Sequence, residues 1–454
     1  MLLELERLLA RGIGATSRLF GAGGGTTLPG KVLWKAHPGA IDRLASELPQ
    51  GAVLVSATNG KTTTAAMEAA ILRTRLRLAH NASGANLVSG IASALLASPG
   101  AELGLFEVDE AALPEAARRV RPRGVLLGNL FRDQLDRYGE LEHVADRWRS
   151  ALGDLPATTL VANADDPLLG EIALGHPGPV RTFGLDDHRH ARPSLQHAAD
   201  SKYCHVCGRP FLYAAAYVGH LGEYACPLGH LRRPPLDVAA RRIELLGLDG
   251  TRFELLTPEG AASIRLALPG LYNVYNAVAA AAQAGQLGVP LPEIAAGLEE
   301  FTAAFGRFER IAVGDRRVLM LLVKNPAGAN EAVRTLLEAS PPALAVVALN
   351  DEIADGRDVS WIWDVDFEPL LSSLERAIVS GGRAAELALR FAYGGLERAR
   401  IDVVPDLERA LDRGLDATPP GGELVLLPTY TAMLALRRII ARRGYVADYW
   451  EAAA

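Results

Sequence analysis

The stretch VLVSATNGKTTTAAMEAA, residues 53–70, decides the fold. Its opening run is apolar and β-branched, which reads as a buried strand over Gly51–Ala57. A turn at Thr58–Lys61 follows, and a helical run begins at Thr62. Strand, Gly-Lys-Thr turn and helix make a phosphate loop: backbone N–H groups and the positive helix end face phosphate oxygens. In such a loop Lys61 reaches the β- and γ-phosphates and the Thr62 hydroxyl ligates Mg²⁺. The full G-x-x-x-x-G-K-[ST] pattern is absent, for lack of its first glycine. Lysine is scarce in the chain, five against 42 arginines, so a lysine at this corner is an informative choice. A compact ammonium is poorly replaced by a guanidinium.

The rest of the chain bounds the answer. Its 454 residues call for two or three domains. Hydrophobic residues are 49% and charged residues 22%, a globular composition that argues against disorder. The net charge of −6, with no long basic block, argues against nucleic acid as a partner. No apolar stretch is long enough to span a bilayer. The first twenty residues carry Glu4 and Glu6 within their apolar part, so they read as an amphipathic helix and not as a signal peptide, packed on the core as first choice and in peripheral contact with the membrane as the alternative. Residues 21–30 form a glycine-rich loop, and three cysteines suit a reducing compartment.

Further buried strands are expected at Leu103–Val108, Gly124–Gly128 and Thr158–Asn163, separated by helices. That alternation is the signature of an α/β protein with a mostly parallel sheet. Residues 198–235 break the rhythm, an Ala-rich helix covers Asn276–Gly288, and a shift falls near Ile311. Beyond it, Val318–Val323, Leu344–Asn350, Leu387–Ala392 and Leu424–Leu427 read as strands of a second α/β unit. The expected division is 1–45 as helix and glycine segment belonging to the central domain, 46–312 as the central domain, and 313–454 as the C-terminal domain.

Carboxylates follow the strands where open α/β sheets bind ligands. Glu107 is the candidate second Mg²⁺ ligand, with Asp109 and Glu110 beside it. Asn163 and Asp166 are open between contact with adenosine and a turn role. Cys204-x₂-Cys207, then eighteen residues to Cys226, begins a zinc-ribbon spacing. Tetrahedral Zn²⁺ needs a fourth ligand: His230 is the first choice and His205 the alternative. A closed four-ligand set is structural, so the three cysteines are not available to hydrolyse glutamine.

These motifs, in order, resemble the Mur ligase family of ATP-dependent amide-bond formers. The likeness rests on ATNGKTT (57–63), NASGANLVSG (81–90), Glu107, the Asn129/Asp133/Asp136 segment, LPGLYNVYNAVAA (268–280) and FGRFER (305–310). Within the family the chain resembles the MurT group, through NLFRDQLDRYGE (129–140), the cysteine cluster, VKNPAGANE (323–331) and NDEIADGRDVSWIWDVDFE (350–368). The resemblance implies a central phosphate-loop domain, a zinc-ribbon insertion over 198–235 and a Rossmann-like C-terminal α/β domain. It implies ATP, bound by Thr58, Asn59, Gly60, Lys61, Thr62, Thr63, Asn86, Asn273, Asn276 and Arg307, with Mg²⁺ on Thr62 and Glu107. Lys324 stands where the family presents a residue to the nucleotide on closure.

The chain departs from amino-acid-adding members: Tyr272 replaces a histidine and Gln134 replaces a metal residue. Lys202 is poorly placed to be a carbamylated lysine. The implied reaction is amidation of the D-glutamate α-carboxyl of lipid II through an acyl phosphate, at the cytoplasmic face of the membrane. Ammonia would come from a GatD-type glutaminase subunit, whose Cys–His pair would be completed by Asp355 or, second, Asp358, with Asp364 in the same segment. An amino-acid-adding Mur or folylpolyglutamate-type ligase is the alternative.

Overall fold

The computed structural model describes residues 28–37, 39–82, 85–133, 140–196, 199–302 and 308–446. The expected helix over the first twenty residues lies outside them. At the centre is a nine-stranded sheet. It contains β1 (Ala52–Ser56), β2 (Leu78–His80), β3 (Leu103–Glu107), β4 (Gly124–Leu127), β5 (Thr159–Asn163) and β6 (Val180–Leu185). An excursion holding β7 (Leu212–Val218) and β8 (Leu221–Ala225) intervenes, and β9 (Val238–Leu245), β10 (Thr251–Thr257) and β11 (Gly260–Leu266) then rejoin the sheet. The order is β11-β10-β9-β6-β5-β4-β1-β3-β2. Pairing is parallel from β2 across to β9 and antiparallel over β9, β10 and β11.

All five residues of β1, AVLVS, are buried, as are all five of β3. Parallel strands covered on both faces require such continuous apolar runs. From β1 the chain runs out to β2 and β3 on one side and continues with β4 on the other. This switch point opens a crevice at the carboxyl ends of β1, β3 and β4, where ligands bind in such sheets.

A second sheet orders β12 (Phe308–Val313), β13 (Arg316–Leu321), β17 (Glu423–Pro428), β14 (Leu344–Ala348), β15 (Arg376–Ser380) and β16 (Ile401–Val403). It is parallel except for the β12–β13 hairpin. Three expectations need correction here. The segment Leu387–Ala392 is helix, within Ala384–Tyr393, because Ala384, Leu387, Arg390 and Phe391 fall on one buried face at helical spacing. The missed strand is β15, RAIVS, whose last four residues are buried. The division expected at 312/313 cuts the β12–β13 hairpin: both strands pair within the second sheet, so this sheet begins at Phe308. The helix Leu28–Ala36 also shortens the loop expected to reach Gly30. No described helix is long and apolar enough to cross a membrane.

Trp148, on the helix Leu141–Gly153, is fully buried and donates from its indole to the Glu110 carbonyl at 2.8 Å. Replacing it by alanine empties a large space and frees that carbonyl. Trp148→Ala is expected to cost about 3–5 kcal/mol in urea unfolding. A loss below about 1 kcal/mol would mean that this helix does not support the β3 loop.

Candidate functional site

The turn after β1 is held in large part by backbone and side-chain amides. Thr58 N–H donates to Asn129 O at 2.9 Å. Asn59 N–H donates to Asn129 Oδ1 at 2.8 Å, and Asn129 Nδ2 returns a bond to Asn59 O at 2.9 Å. Phe131 N–H donates to the Thr58 hydroxyl at 3.1 Å. Gly60 takes φ 85°, and a Cβ there would stand 2.1 Å from Asn276 Oδ1. Conformation and space both demand glycine. The helix Lys61–Leu72 starts directly after it, so its first N–H groups face the crevice.

Lys61 is buried, and its ammonium donates to Glu110 Oε2 at 2.8 Å and to the Ala57 carbonyl. Burial lowers the lysine pKa, but Glu110 and, behind it, Glu107 outweigh this and hold it above the ordinary value. Burial likewise raises Glu110, but Lys61, then Lys324, pull it below the usual carboxylate range.

The expected Mg²⁺ residue Glu107 ends β3 and is buried. Among the described residues its carboxylate has no hydrogen-bond partner, which leaves its oxygens available to a cation. Its backbone N–H donates to Asn81 Oδ1 and its carbonyl accepts from Asn81 Nδ2, each at 2.8 Å. Asn81 was not singled out by sequence, since it follows a strand of only three residues. Asn86 accepts through its carbonyl from Asp109 N–H at 2.8 Å. Thr63 is buried and Thr62 half-buried on the first turn of the helix. Asn163 and Asp166 serve turns: Asp166 caps the helix Pro167–Gly175 and also accepts from Leu130 N–H at 2.8 Å.

The second unit reaches this turn from the loop after β13. Lys324 donates to Thr58 O at 3.1 Å and to Asp133 Oδ2 at 2.7 Å. Asn325 exchanges side-chain bonds with Asn59, at 3.2 and 3.0 Å, and caps the helix Pro326–Ala339. Asn276 donates to Asn273 Oδ1 at 3.1 Å, and Thr64 donates to Asn276 Oδ1 at 3.3 Å. A cavity of about 100 Å³ lies between Gly60, Asn276, Tyr272 and Lys324. Arg307, Gln134 and Asp136 lie outside the described residues.

Cys204, Cys207, Cys226 and His230 converge, their ligand atoms within 4.8 Å of one another. Two matching backbone turns produce this. Cys204 O accepts from Cys207 N–H at 3.2 Å, and Cys226 O accepts from Gly229 N–H at 2.9 Å. His205 faces elsewhere, with Nε2 2.8 Å from Glu171 Oε1. Three thiols and an imidazole in this compass are the donor set of a closed tetrahedral Zn²⁺ site. Burial raises the Cys226 thiol, but the N–H groups of Leu228 and His230, with the neighbouring thiols, draw it down to about 6.

The acidic segment divides. Asp355 is buried, and its two oxygens accept from Thr431 N–H, at 2.8 Å, and from the Thr431 hydroxyl. Burial raises its pKa and those bonds hold the rise in check. Asp358 is exposed and accepts from Ser360 N–H at 2.8 Å, which lowers it. Asp364 meets Arg132 at 3.4 Å.

Removing the ammonium from the Lys61 pair leaves Glu110 buried and uncompensated. Lys61→Met is expected to destabilise the chain by about 3–5 kcal/mol in the absence of nucleotide. Adding Glu110→Gln should recover most of that loss. For Glu110, lowered in the folded state, the stabilisation exists above the ordinary glutamate pKa and disappears as pH falls through the folded value. For Lys61, raised in the folded state, it exists below the ordinary lysine pKa and disappears as pH rises through the folded value. Unfolding free energies measured from pH 3 to 7 check the acid arm, which should flatten in the double variant.

Comparison with known proteins follows the same division. The Mur ligase middle domain matches residues 55–224, and the MurT ligase C-terminal domain matches residues 322–433. The MurT subunit of the glutamine-hydrolysing lipid II isoglutaminyl synthase of Streptococcus pneumoniae is 33% identical, covering 93% of this chain and 94% of that protein. Its namesake from Staphylococcus aureus is 31% identical over 95% of this chain and 94% of its own length. Among solved structures, a type C pseudomurein peptide ligase from Methanothermus fervidus superposes with TM-score 0.69 at 22% identity, covering 88% of this chain and 80% of that one. The shared fold, the near-complete overlap and the ordered motifs place this chain in the MurT family of Mur ligases.

Proposed function

We propose that the chain is the synthetase subunit of an ATP-dependent amidotransferase that converts the D-glutamate α-carboxyl of lipid II to D-isoglutamine in peptidoglycan synthesis. The observation that carries this reading is the contact of Lys324 and Asn325 with Thr58 and Asn59, which draws both sheets around one phosphate-binding turn. The relatives at 31–33% identity are named for that reaction. In this reading the nine-stranded unit carries the nucleotide and the six-stranded unit closes over it.

A substrate carboxylate oxygen attacks the γ-phosphorus of ATP, giving an acyl phosphate and ADP. Ammonia then attacks the acyl carbon, loses a proton, and expels inorganic phosphate as the amide forms. The chain's task is to align the partners and neutralise charge. Lys61 would turn from Glu110 toward the phosphates, and the helix N-terminus would meet their oxygens. Glu107 and the Thr62 hydroxyl would hold Mg²⁺, which shields phosphate charge when bound. Asn273 and Asn276 would orient the base, with Asn86 and Arg307 as further nucleotide contacts. Cys204, Cys207, Cys226 and His230 would hold a structural Zn²⁺.

All three cysteines stand in one cluster, which supports a separate subunit as the glutaminase. A GatD-type partner would meet the Asp355–Asp364 segment. The exposed Asp358 is open to a partner's imidazole, whereas Asp355 would first have to leave Thr431. The complex would act from the cytoplasmic side on its membrane-held substrate.

Lipid II with an ammonium salt should stimulate ADP release, and Lys61→Ala should lower the rate at least about a hundredfold, as loss of a phosphate-stabilising group does. Stimulation by a single amino acid instead would transfer the reading to the amino-acid-adding ligases. With the reconstituted partner, glutaminase turnover should fall in Asp358→Asn or Asp355→Asn; unchanged turnover in both would remove the segment from the partner's site. Metal analysis of protein never exposed to chelator should find one zinc per chain, absent from Cys226→Ser. Zinc-free wild type would end that assignment.

A further inference from the structure

The thiol-bearing insertion has a second end, away from its cysteines. There the β7–β8 turn holds Gly219 and His220 against the nucleotide crevice. His220 is fully buried, with its ring centroid 4.7 Å from that of Phe131, the residue bonded to the Thr58 hydroxyl. Gly219, at φ 57°, leaves no room for a side chain: a Cβ would lie 2.7 Å from the Phe131 ring. Tyr213 fixes the turn by donating its hydroxyl to His220 O at 2.9 Å.

The other side of the same hairpin receives the second unit. Arg334, on the helix Pro326–Ala339, donates to Tyr217 O at 3.1 Å. Arg192 is bound along β7, donating its N–H to Ala216 O at 2.7 Å, and it reaches across to Glu331 Oε1 at 3.1 Å. Glu331 is buried, and its other oxygen has no partner among the described residues. A buried carboxylate is costly without cations, and here Arg334 of the same helix and Arg192 from the hairpin side both offset it, Arg192 through the direct hydrogen bond that ties the helix to this seat. Asn325, directly after Lys324, caps that helix, so its seat on the hairpin sets where both residues meet the phosphate turn.

We propose that the β7–β8 hairpin is the docking platform on which the helix Pro326–Ala339 closes the nucleotide cleft, with Arg192 and Arg334 as positioning residues. The insertion thus has a role in the ligase cycle beyond holding its own metal. Val218 and Leu221 of the hairpin line the same cavity as Gly60 and Lys324, so the platform is also a wall of the cleft. The inference rests on the nucleotide reading given above for its effect on ATP, but not for the docking itself.

The test compares the full chain with Arg192→Ala and Glu331→Gln by hydrogen exchange and by ATP titration of turnover. Amides of the hairpin and of the helix should lose protection together, while β1 and β3 keep theirs. The Michaelis constant for ATP should rise on the order of tenfold, as is usual for coupled sites, with Arg192→Lys restoring much of it. Arg334→Gln supplies a variant outside the buried pair and should show the same paired loss if either of the others fails to fold. Hairpin protection equal to wild type in the folded variants, or Michaelis constants within twofold of it, overturns the proposal. A wild-type chain that binds no ATP would refute the nucleotide reading instead, and the paired exchange pattern would then decide the docking alone.

Discussion

A buried positive charge governs the crevice. Lys61 sits at the mouth of a helix whose N-terminal dipole is also positive, and both lie in a place that water hardly reaches. Such a site is stable without a ligand only if an anion is supplied from within, and Glu110 supplies it. A phosphate group entering the crevice offers the same charge with better geometry for the helix amides. In the proposed reaction the lysine would exchange this internal partner for a phosphate and so would not be left unpaired. The burial of Trp148 against the Glu110 carbonyl keeps the internal partner at a fixed distance.

Around this charge the site is made mostly of side-chain amides. Asn59, Asn81, Asn129, Asn273, Asn276 and Asn325 all bond to backbone or to one another. An amide both donates and accepts, so it can hold a loop without adding charge beside phosphates. Two of the chain's five lysines, Lys61 and Lys324, reach into the crevice as point charges, and many of its arginines hold surfaces together. Arg192 and Arg334 are of the second kind: they bridge the insertion and the second unit.

Much of this was legible in the amino-acid order. The strand–turn–helix of residues 53–70 is written in a long apolar run and a Gly-Lys-Thr corner, both local signals. The cysteine spacing is local as well, and so is the placing of His230 four residues after Cys226, which made it the first choice over His205; that His205 meets Glu171 was not legible. The misread segment Leu387–Ala392 has six residues, too few to separate a strand from a helix turn by period alone. Asn81 and the pair Arg192–Glu331 stayed hidden because their meaning lies wholly in partners far along the chain, 26 and 139 residues away. Asp355 was legible as an acid in a promising loop, but its bonds to Thr431 were not.

The reciprocal amide bonds between Asn59 and Asn325 join residues 266 positions apart. A ribosome adding about 5–20 residues per second separates their emergence by roughly 13 to 53 seconds. Asn129, which holds the turn from the other side, emerges 70 residues after Asn59, so only in the later part of that interval can the turn form without Asn325. The joining of the two sheets at this turn is thus a late event of synthesis, since it awaits the last third of the chain.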